Sequence, residues 1–343
     1  MKAAVLNEGA NRLQIEQVPD PAVGPGDVRV RVRACGVCGS DVHATVHPVI
    51  PIKTRPRIMG HESAGVIESI GSGVTRVKVG QRVVIGAGTS CGECARCLAG
   101  RDNACEKVGV LGFDRDGAFA ELITIPERYV HALPDEIPFD QGAILADAVS
   151  TPYHALKYTG RLEAGETLAV VGCGGLGVHA ILLGRALGAG RVVAVDVEDG
   201  ALQHAANFGA DDVIDARRTK NIGKTLREVT GGVDVIADFS GFYPGLSTCL
   251  RALNPRGRAV MVGIGRSKLE VGMPPLMIYR QLCICGSYGC ERNAVPELIQ
   301  LVLAGKLDLS KSITSHHPLE EVNQCLEDLH HRKGNPVRFV IQP

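Results

Sequence analysis

The sequence predicts a two-domain protein of the α/β plus β class, a β-rich domain joined to a doubly wound six-stranded parallel sheet. Three observations predict it. At 343 residues the chain is too long for one ordinary hydrophobic core. Before residue 140, short β-prone runs separated by turns dominate and few helical patterns occur. After residue 166, apolar runs alternate with helical stretches, the rhythm of a parallel sheet covered on both faces.

Taken in order, Val28 to Val32 alternates apolar and charged residues, as a half-buried strand does. Ser63 to Ile70 and Arg82 to Ile85 are β-rich, and Gly71-Ser72-Gly73 and Val79-Gly80-Gln81 supply turns. Thr167 to Val171 is an apolar run leading into Gly172-Cys173-Gly174-Gly175-Leu176-Gly177. A helical pattern follows, with Leu176, Ala180, Leu183 and Leu187 on one face. Val192 to Val195 then ends in Asp196, and Val213-Ile214, Val233 to Ala237, Arg258 to Val262 and Leu282 to Cys285 complete six strands. A helix from Val295 to Ala304 and a closing strand from Val337 to Ile341 finish the chain.

Composition removes several function classes. Thirty-seven basic residues balance thirty-seven acidic ones, so the chain lacks the electrostatic footprint of a nucleic-acid binder. Its opening, Met1-Lys2-Ala3-Ala4-Val5-Leu6, soon turns polar and does not read as a secretory signal. The most apolar segment, Leu168 to Leu183, is short for a membrane span and is interrupted by four glycines and His179. A cytoplasmic location is expected, with no membrane partner. Of twelve cysteines, four fall between Cys91 and Cys105, and a reducing compartment favours metal thiolates over disulfides there.

The glycine run follows a strand and opens a helix, so free backbone N–H groups and the positive helix end face a pyrophosphate. Gly172 permits the tight turn, Gly174 the close approach and Gly177 the helix–strand packing, with Gly175 and Leu176 between them. Asp196, ending the second strand, is placed to accept hydrogen bonds from the adenosine ribose hydroxyls. Its carboxylate, followed by Val197-Glu198-Asp199, would repel a 2′-phosphate, so NAD is expected over NADP.

Cys91, Cys94, Cys97 and Cys105 form a C-x2-C-x2-C-x7-C pattern, which lets four thiolates converge on one zinc ion. With every position filled by sulfur, such a site is structural, although short cysteine spacings also serve iron–sulfur clusters. A second set is more dispersed. Cys35-Gly36-Val37-Cys38-Gly39-Ser40-Asp41-Val42-His43 follows a strand and Gly60-His61-Glu62 precedes another. Taken alone, His61 reads as a structural histidine, and Cys35 with Cys38 as a redox pair or part of a metal clip.

In combination, the motifs Cys38 to His43, Gly60-His61-Glu62, the four cysteines and Gly172 to Gly177 resemble those of the zinc-dependent medium-chain alcohol dehydrogenases, over essentially the whole chain. The resemblance implies a GroES-like catalytic domain at 1–148 and 289–343, and a Rossmann NAD-binding domain at 149–288. It also implies two zinc ions per chain. Cys38 and His61 match two catalytic-zinc ligands, and Asp147 stands where many relatives carry cysteine and some carry aspartate. Glu62 matches a residue that enters the coordination shell in resting forms or sits just behind it. Ser40 and His43 match the two ends of a proton relay. Thr151 matches the residue against the nicotinamide, Val262, Gly263 and Ile264 lie at the carboxamide, and Arg338 pairs with the pyrophosphate. Asp41 is assigned to holding its loop and Cys35 to structure.

The chemistry explains such a metal. A free alcohol has a pKa of about 16, and zinc brings that of a bound oxygen to about 7, on the order of 12 kcal/mol. Three protein ligands leave one position open for it. Rival readings are a zinc-free reductase of the same fold, such as a quinone reductase, and a non-catalytic zinc scaffold. Cys38, His61 and the cysteine lobe oppose the first; neutral charge and the relay set oppose the second. Ala44 to Met59, apolar and proline-rich, is expected to shape an entrance for a secondary, cyclic or otherwise apolar alcohol. A homodimer or homotetramer is expected, with Leu282 to Cys285 pairing across a two-fold axis.

Overall fold

The strand Asp27–Gly36 organises the first half of the chain. Its alternation buries Val28, Val30 and Val32, and then Ala34, Cys35 and Gly36 are all buried. It therefore runs beyond the expected Val28–Val32, because its far end is covered by neighbours on both edges. Glu62–Ile70 pairs with it along one edge, and Phe339–Gln342 pairs with Cys35 and Gly36 on the other. A seven-stranded sheet results, mostly antiparallel, and a three-stranded sheet accompanies it.

The computed structural model describes residues 1–343 and divides into two units, Met1–Ser150 with Cys290–Pro343, and Thr151–Gly289. The sequence boundaries were 148/149 and 288/289. The first unit contains few regular helices before residue 139, as its β-rich pattern implies. A helical run from Phe139 to Thr159 follows, in which two stretches, Leu145–Val149 and Ala155–Thr159, are wound as π-helix. π-Turns change which face a side chain leaves from and often occur at functional sites. This run was not anticipated from the sequence.

The second unit is a six-stranded sheet in the order Asp212–Asp215, Arg191–Asp196, Thr167–Val171, Val233–Asp238, Leu253–Met261, Cys283–Gly286. Every neighbouring pair is parallel. Central strands of such a sheet are buried on both faces, which is why Leu168, Ala169, Val170, Val192, Val193 and Ala194 read as continuous apolar runs and are fully buried. The fifth strand begins five residues before the expected Arg258. Pro255 and Gly257 look like breakers, but the chain passes them through a register shift opposite Val233 and Val235.

Candidate metal centres and dinucleotide loop

Strand pairing brings the dispersed motifs together. Gly36 lies directly opposite Glu62 in the antiparallel register, so the residues just beyond each strand, Cys38 and His61, meet at the same sheet end. Cys38 caps the short helix Gly39–Ala44, and its N–H donates to Asp41 Oδ2 at 3.0 Å. Gly60 turns the chain into His61 at φ +93°, and a Cβ there would collide with Phe119 at 2.7 Å. The π-wound segment supplies Asp147.

Cys38 Sγ lies 3.6 Å from Asp147 Oδ2, and His61 Nε2 lies 3.5 Å from the same oxygen. Donor atoms of Cys38, His61, Glu62 and Asp147 all fall within 4.8 Å of one another. A tetrahedral ion with bonds of 2.0–2.3 Å needs ligand separations of about 3.3–3.8 Å. Three of these residues are buried, and both Glu62 carboxylate oxygens lack a hydrogen-bond partner. Buried polar atoms in that state call for a cation. The donor set fits zinc, with sulfur, imidazole and carboxylate converging from three segments.

The surroundings orient these groups. His61 Nδ1 stands 3.3 Å from Asp41 Oδ1, which leaves Nε2 turned toward Asp147. That carboxylate–histidine pairing is the usual support of a metal-ligating imidazole. Asp41 therefore does more than hold its loop, and its only sequence signal was its place three residues after Cys38. Burial alone would keep His61 neutral, but Asp41 and Asp147 raise its pKa well above the ordinary value. Burial pushes Glu62 up to about 7, although Arg338 pulls the other way. Ser40 Oγ lies 3.3 Å from His61 Nε2. His43 is half-buried and its pKa is lowered, first by burial and then by His47 and His330.

Arg338 is placed in the first unit, 2% exposed, with Nη1 donating to Val37 at 2.8 Å and lying 3.5 Å from Glu62 Oε1. Burial works against its charge, and Glu62, Cys38 and Asp147 together more than offset this. Its observed partners are thus Val37 and Glu62, a setting the sequence did not indicate. The Ala44 to Met59 stretch borders a cavity of about 440 Å³ that is lined by Pro48 and Ile52 but also by Glu8, Asn11, Lys53 and Arg55. Its apolar character is only partial.

The cysteine lobe is built from local chain. Sγ separations are 3.5 Å for Cys94–Cys97 and Cys91–Cys105, 3.8 Å for Cys91–Cys97 and 3.9 Å for Cys94–Cys105. Four sulfurs at 2.3 Å from one tetrahedral ion would be about 3.8 Å apart. A multi-iron cluster sets its thiolates farther apart, so the geometry favours a single ion. Backbone N–H groups of Cys91, Cys94 and Lys107 donate to these sulfurs at 3.3–3.4 Å, stabilising thiolate charge.

In the second unit, Gly172 has φ +83° and a Cβ there would lie 2.6 Å from Ser240 N, so the turn requires glycine. At Gly177 a Cβ would meet Gly172 O at 1.9 Å, which enforces close packing of the helix Gly177–Ala186 on the strand. Gly174 faces open space, and no protein atom explains its lack of a side chain. That empty cradle suits a ligand pressed against backbone, as a dinucleotide pyrophosphate is. Asp196 accepts from Cys173 N at 2.6 Å, Val197 N at 2.7 Å and Glu198 N at 2.9 Å. It fastens the glycine loop as well as ending its strand. Val262 N and Gly263 N both donate to Asp238 O, whereas Ile264 is 69% exposed. Thr151 is buried at the start of this unit.

Residues 24–135 match the model for the alcohol dehydrogenase GroES-like domain, and residues 175–304 match that for zinc-binding dehydrogenases. An alcohol dehydrogenase of Geobacillus stearothermophilus is 35% identical over 329 residues, covering 95% of each chain. A probable D-xylulose reductase A of Emericella nidulans is 33% identical over 338 residues, covering 95% of this chain and 93% of its own. Among solved structures, the alcohol dehydrogenase of Aeropyrum pernix superposes with a TM-score of 0.88 at 35% identity, with both chains fully covered. Fold, metal centres and glycine loop together define a zinc-binding oxidoreductase that uses a nicotinamide dinucleotide. The chain belongs to the zinc-dependent medium-chain alcohol dehydrogenase family.

Proposed function

We propose that the protein interconverts an alcohol and its ketone or aldehyde by exchanging a hydride with NAD. The convergence of Cys38, His61, Glu62 and Asp147 within 4.8 Å carries this reading. Cys38, His61 and Asp147 would hold the catalytic zinc, with Glu62 behind them against Arg338. When bound, zinc supplies a Lewis acid that makes the substrate hydroxyl far more acidic. Ser40 would take the hydroxyl proton while releasing its own, and His43, whose Nδ1 has no protein partner, would carry a proton on toward solvent. Cys91, Cys94, Cys97 and Cys105 would hold a second, structural zinc.

The cofactor roles follow the loop geometry. Gly172, Gly174, Gly175, Leu176 and Gly177 would hold the pyrophosphate, and Asp196 would select NAD through the adenosine ribose. Thr151 would lie against the nicotinamide, and Val262, Gly263 and Ile264 would hold its carboxamide. Arg338, whose Nε and Nη2 have no hydrogen-bond partner, would be free to hold an anion. The substrate is a secondary, cyclic or otherwise apolar alcohol, in keeping with a chain that has 4% aromatic residues and no tryptophan. A polyol is the second reading, favoured by the reductase relative and the partly polar cavity beside Lys53 and Arg55.

The strand Cys283–Gly286 lies at the sheet edge, beside the helix Pro274–Arg280, none of whose residues is buried. Met273, Ile278 and Tyr279 are 72%, 71% and 85% exposed. An open edge next to such an apolar patch suits a second copy of the chain, giving a homodimer or a homotetramer built from it. No helix is long and apolar enough to cross a membrane. A reducing, cytoplasmic setting matches the clustered thiolates.

The test is a panel of primary, secondary and cyclic alcohols and polyols, followed by NADH absorbance with and without a chelator. Chelator-sensitive turnover of apolar secondary alcohols is expected. Polyol-restricted turnover would favour the second reading, and chelator-insensitive turnover would overturn the zinc assignment.

A further inference from the structure

Two buried carboxylates end the strands on either side of Thr167–Val171: Asp196 closes Arg191–Asp196, and Asp238 closes Val233–Asp238. The chain lays Arg191–Asp196 and Asp212–Asp215 to one side of Thr167–Val171, then returns to its other side with Val233–Asp238. The strand order therefore reverses beside Asp238. In open parallel sheets, ligands bind in the crevice outside the strand ends at that reversal.

Asp238 is fully buried, and its side chain organises the loop that follows it. Oδ1 accepts from Ser240 Oγ at 2.6 Å and Ser240 N at 3.3 Å, and Oδ2 accepts from Gly241 N at 3.2 Å. These donors are a hydroxyl and two amides, all neutral. A charge buried against neutral donors costs more than an apolar residue in its place. Ser240 Oγ in turn accepts from Phe242 N at 3.0 Å, so the carboxylate sets the path of residues 240–242. Its main-chain oxygen holds a second loop, accepting from Val262 N at 2.9 Å and Gly263 N at 3.0 Å. The two loops then lock together. Tyr243 Oη donates to Gly263 O at 2.9 Å, and a Cβ at Gly263 would meet Gly241 N at 2.3 Å.

The first of these loops lies against the glycine turn. Phe239 N donates to Val171 O at 2.7 Å, one residue before Gly172. A Cβ at Gly172 would lie 2.6 Å from Ser240 N and 2.8 Å from its Cα, so Ser240 is packed on the turn. Asp196 holds the same turn from the neighbouring strand, accepting from Cys173 N at 2.6 Å.

We propose that Asp238 is a positioning residue for the dinucleotide, which holds Ser240 against Gly172 and so braces the glycine turn on the side that Asp196 does not reach. The assignment rests on the reading that this turn takes the dinucleotide pyrophosphate. Without the carboxylate, Ser240 and Gly241 lose the acceptor that keeps them at Gly172, while Asp196 still holds Cys173. Dinucleotide affinity then falls. The chemical step is spared, since Cys38, His61 and Asp147 belong to the other unit.

The variants D238N, S240A and their double variant, prepared as zinc-loaded full-length protein, test it. Three readouts are taken: the Kd for NADH by calorimetric titration, KM for NAD with kcat at saturating NAD, and the urea midpoint. D238N is expected to raise Kd and KM about tenfold with kcat within about twofold of wild type. S240A, which keeps the carboxylate and the Ser240 N–H, raises them about threefold, and the double variant is no worse than D238N alone. Unchanged NADH affinity in both single variants would overturn the proposal. A lowered urea midpoint with unchanged affinity would overturn it too, making Asp238 a brace of the sheet alone. If D238N does not fold, S240A decides by itself. A wild-type protein that binds no dinucleotide would remove the reading of the glycine turn and this assignment with it, whereas tight wild-type binding with unaffected variants removes the assignment alone.

Discussion

Gly36 stands opposite Glu62 across an antiparallel strand pair, and a side chain at 36 would meet Glu62 Oε2 at 2.2 Å. The glycine makes room for a carboxylate that is itself completely buried, within 4.8 Å of the donor atoms of Cys38, His61 and Asp147. Replacing it tests how firmly that carboxylate is placed. G36A is expected to destabilise the zinc-loaded protein by about 1–3 kcal/mol through overpacking. It should also weaken retention of the catalytic zinc. Urea unfolding and metal analysis read both, and an unchanged midpoint would mean that the strand pair opens freely.

Removing a ligand separates chemistry from nucleotide binding. C38A and H61A are each expected to abolish turnover and to lower the zinc content from two ions to one, because one of the two ligand clusters is lost. Dinucleotide affinity, carried by the glycine loop, should remain largely intact by calorimetric titration. Retained turnover in either variant removes the catalytic role of the metal.

Asp196 fastens the glycine loop, and in the proposed reading it also selects NAD. D196G is expected to raise the efficiency with NADP relative to NAD, because the charge facing a 2′-phosphate is gone. The same change frees the N–H groups of Cys173, Val197 and Glu198, so affinity for both dinucleotides should fall. Kinetics with each cofactor give the ratio, and an unaltered ratio would refute selection through the ribose.

Acid should weaken the first unit through His131. Burial, then the charges of Arg76 and Arg292, depress its pKa from 6.5 to about 4. The unfolded chain therefore takes up the proton first, and the stability due to the neutral ring is complete above pH 6.5. It is lost as the pH falls toward 4, on the order of 1–3 kcal/mol. Urea unfolding at neutral pH and at pH about 5 should show a smaller loss for H131Q than for the wild type. Equal losses would place the acid sensitivity elsewhere.

How much was legible depends on the range of the contacts. The glycine loop and the cysteine lobe are local, with each motif lying within fifteen residues, and spacing alone described them. The six strands were readable because a parallel sheet buries both faces of its central strands. Asp147 came only through resemblance, because π-winding from Leu145 to Val149 leaves no periodic signal. Asp41 beside His61, Arg338 beside Glu62 and Arg292 on Asp102 were invisible, since strand pairing and the return of the distant C-terminal segment to the first unit create those contacts. The fifth strand was cut short because Pro255 and Gly257 imitate a loop.

The first unit is interrupted by the second, and Arg338 follows 187 residues after Thr151 in the chain. During synthesis Glu62 emerges long before its guanidinium partner, and until then the nascent sheet lacks the strand that flanks Cys35 and Gly36. A half-made molecule thus carries the ligands without the counter-charge behind them. The charge that faces Glu62 is therefore the last part of this cluster to be made, supplied only when translation has passed residue 338.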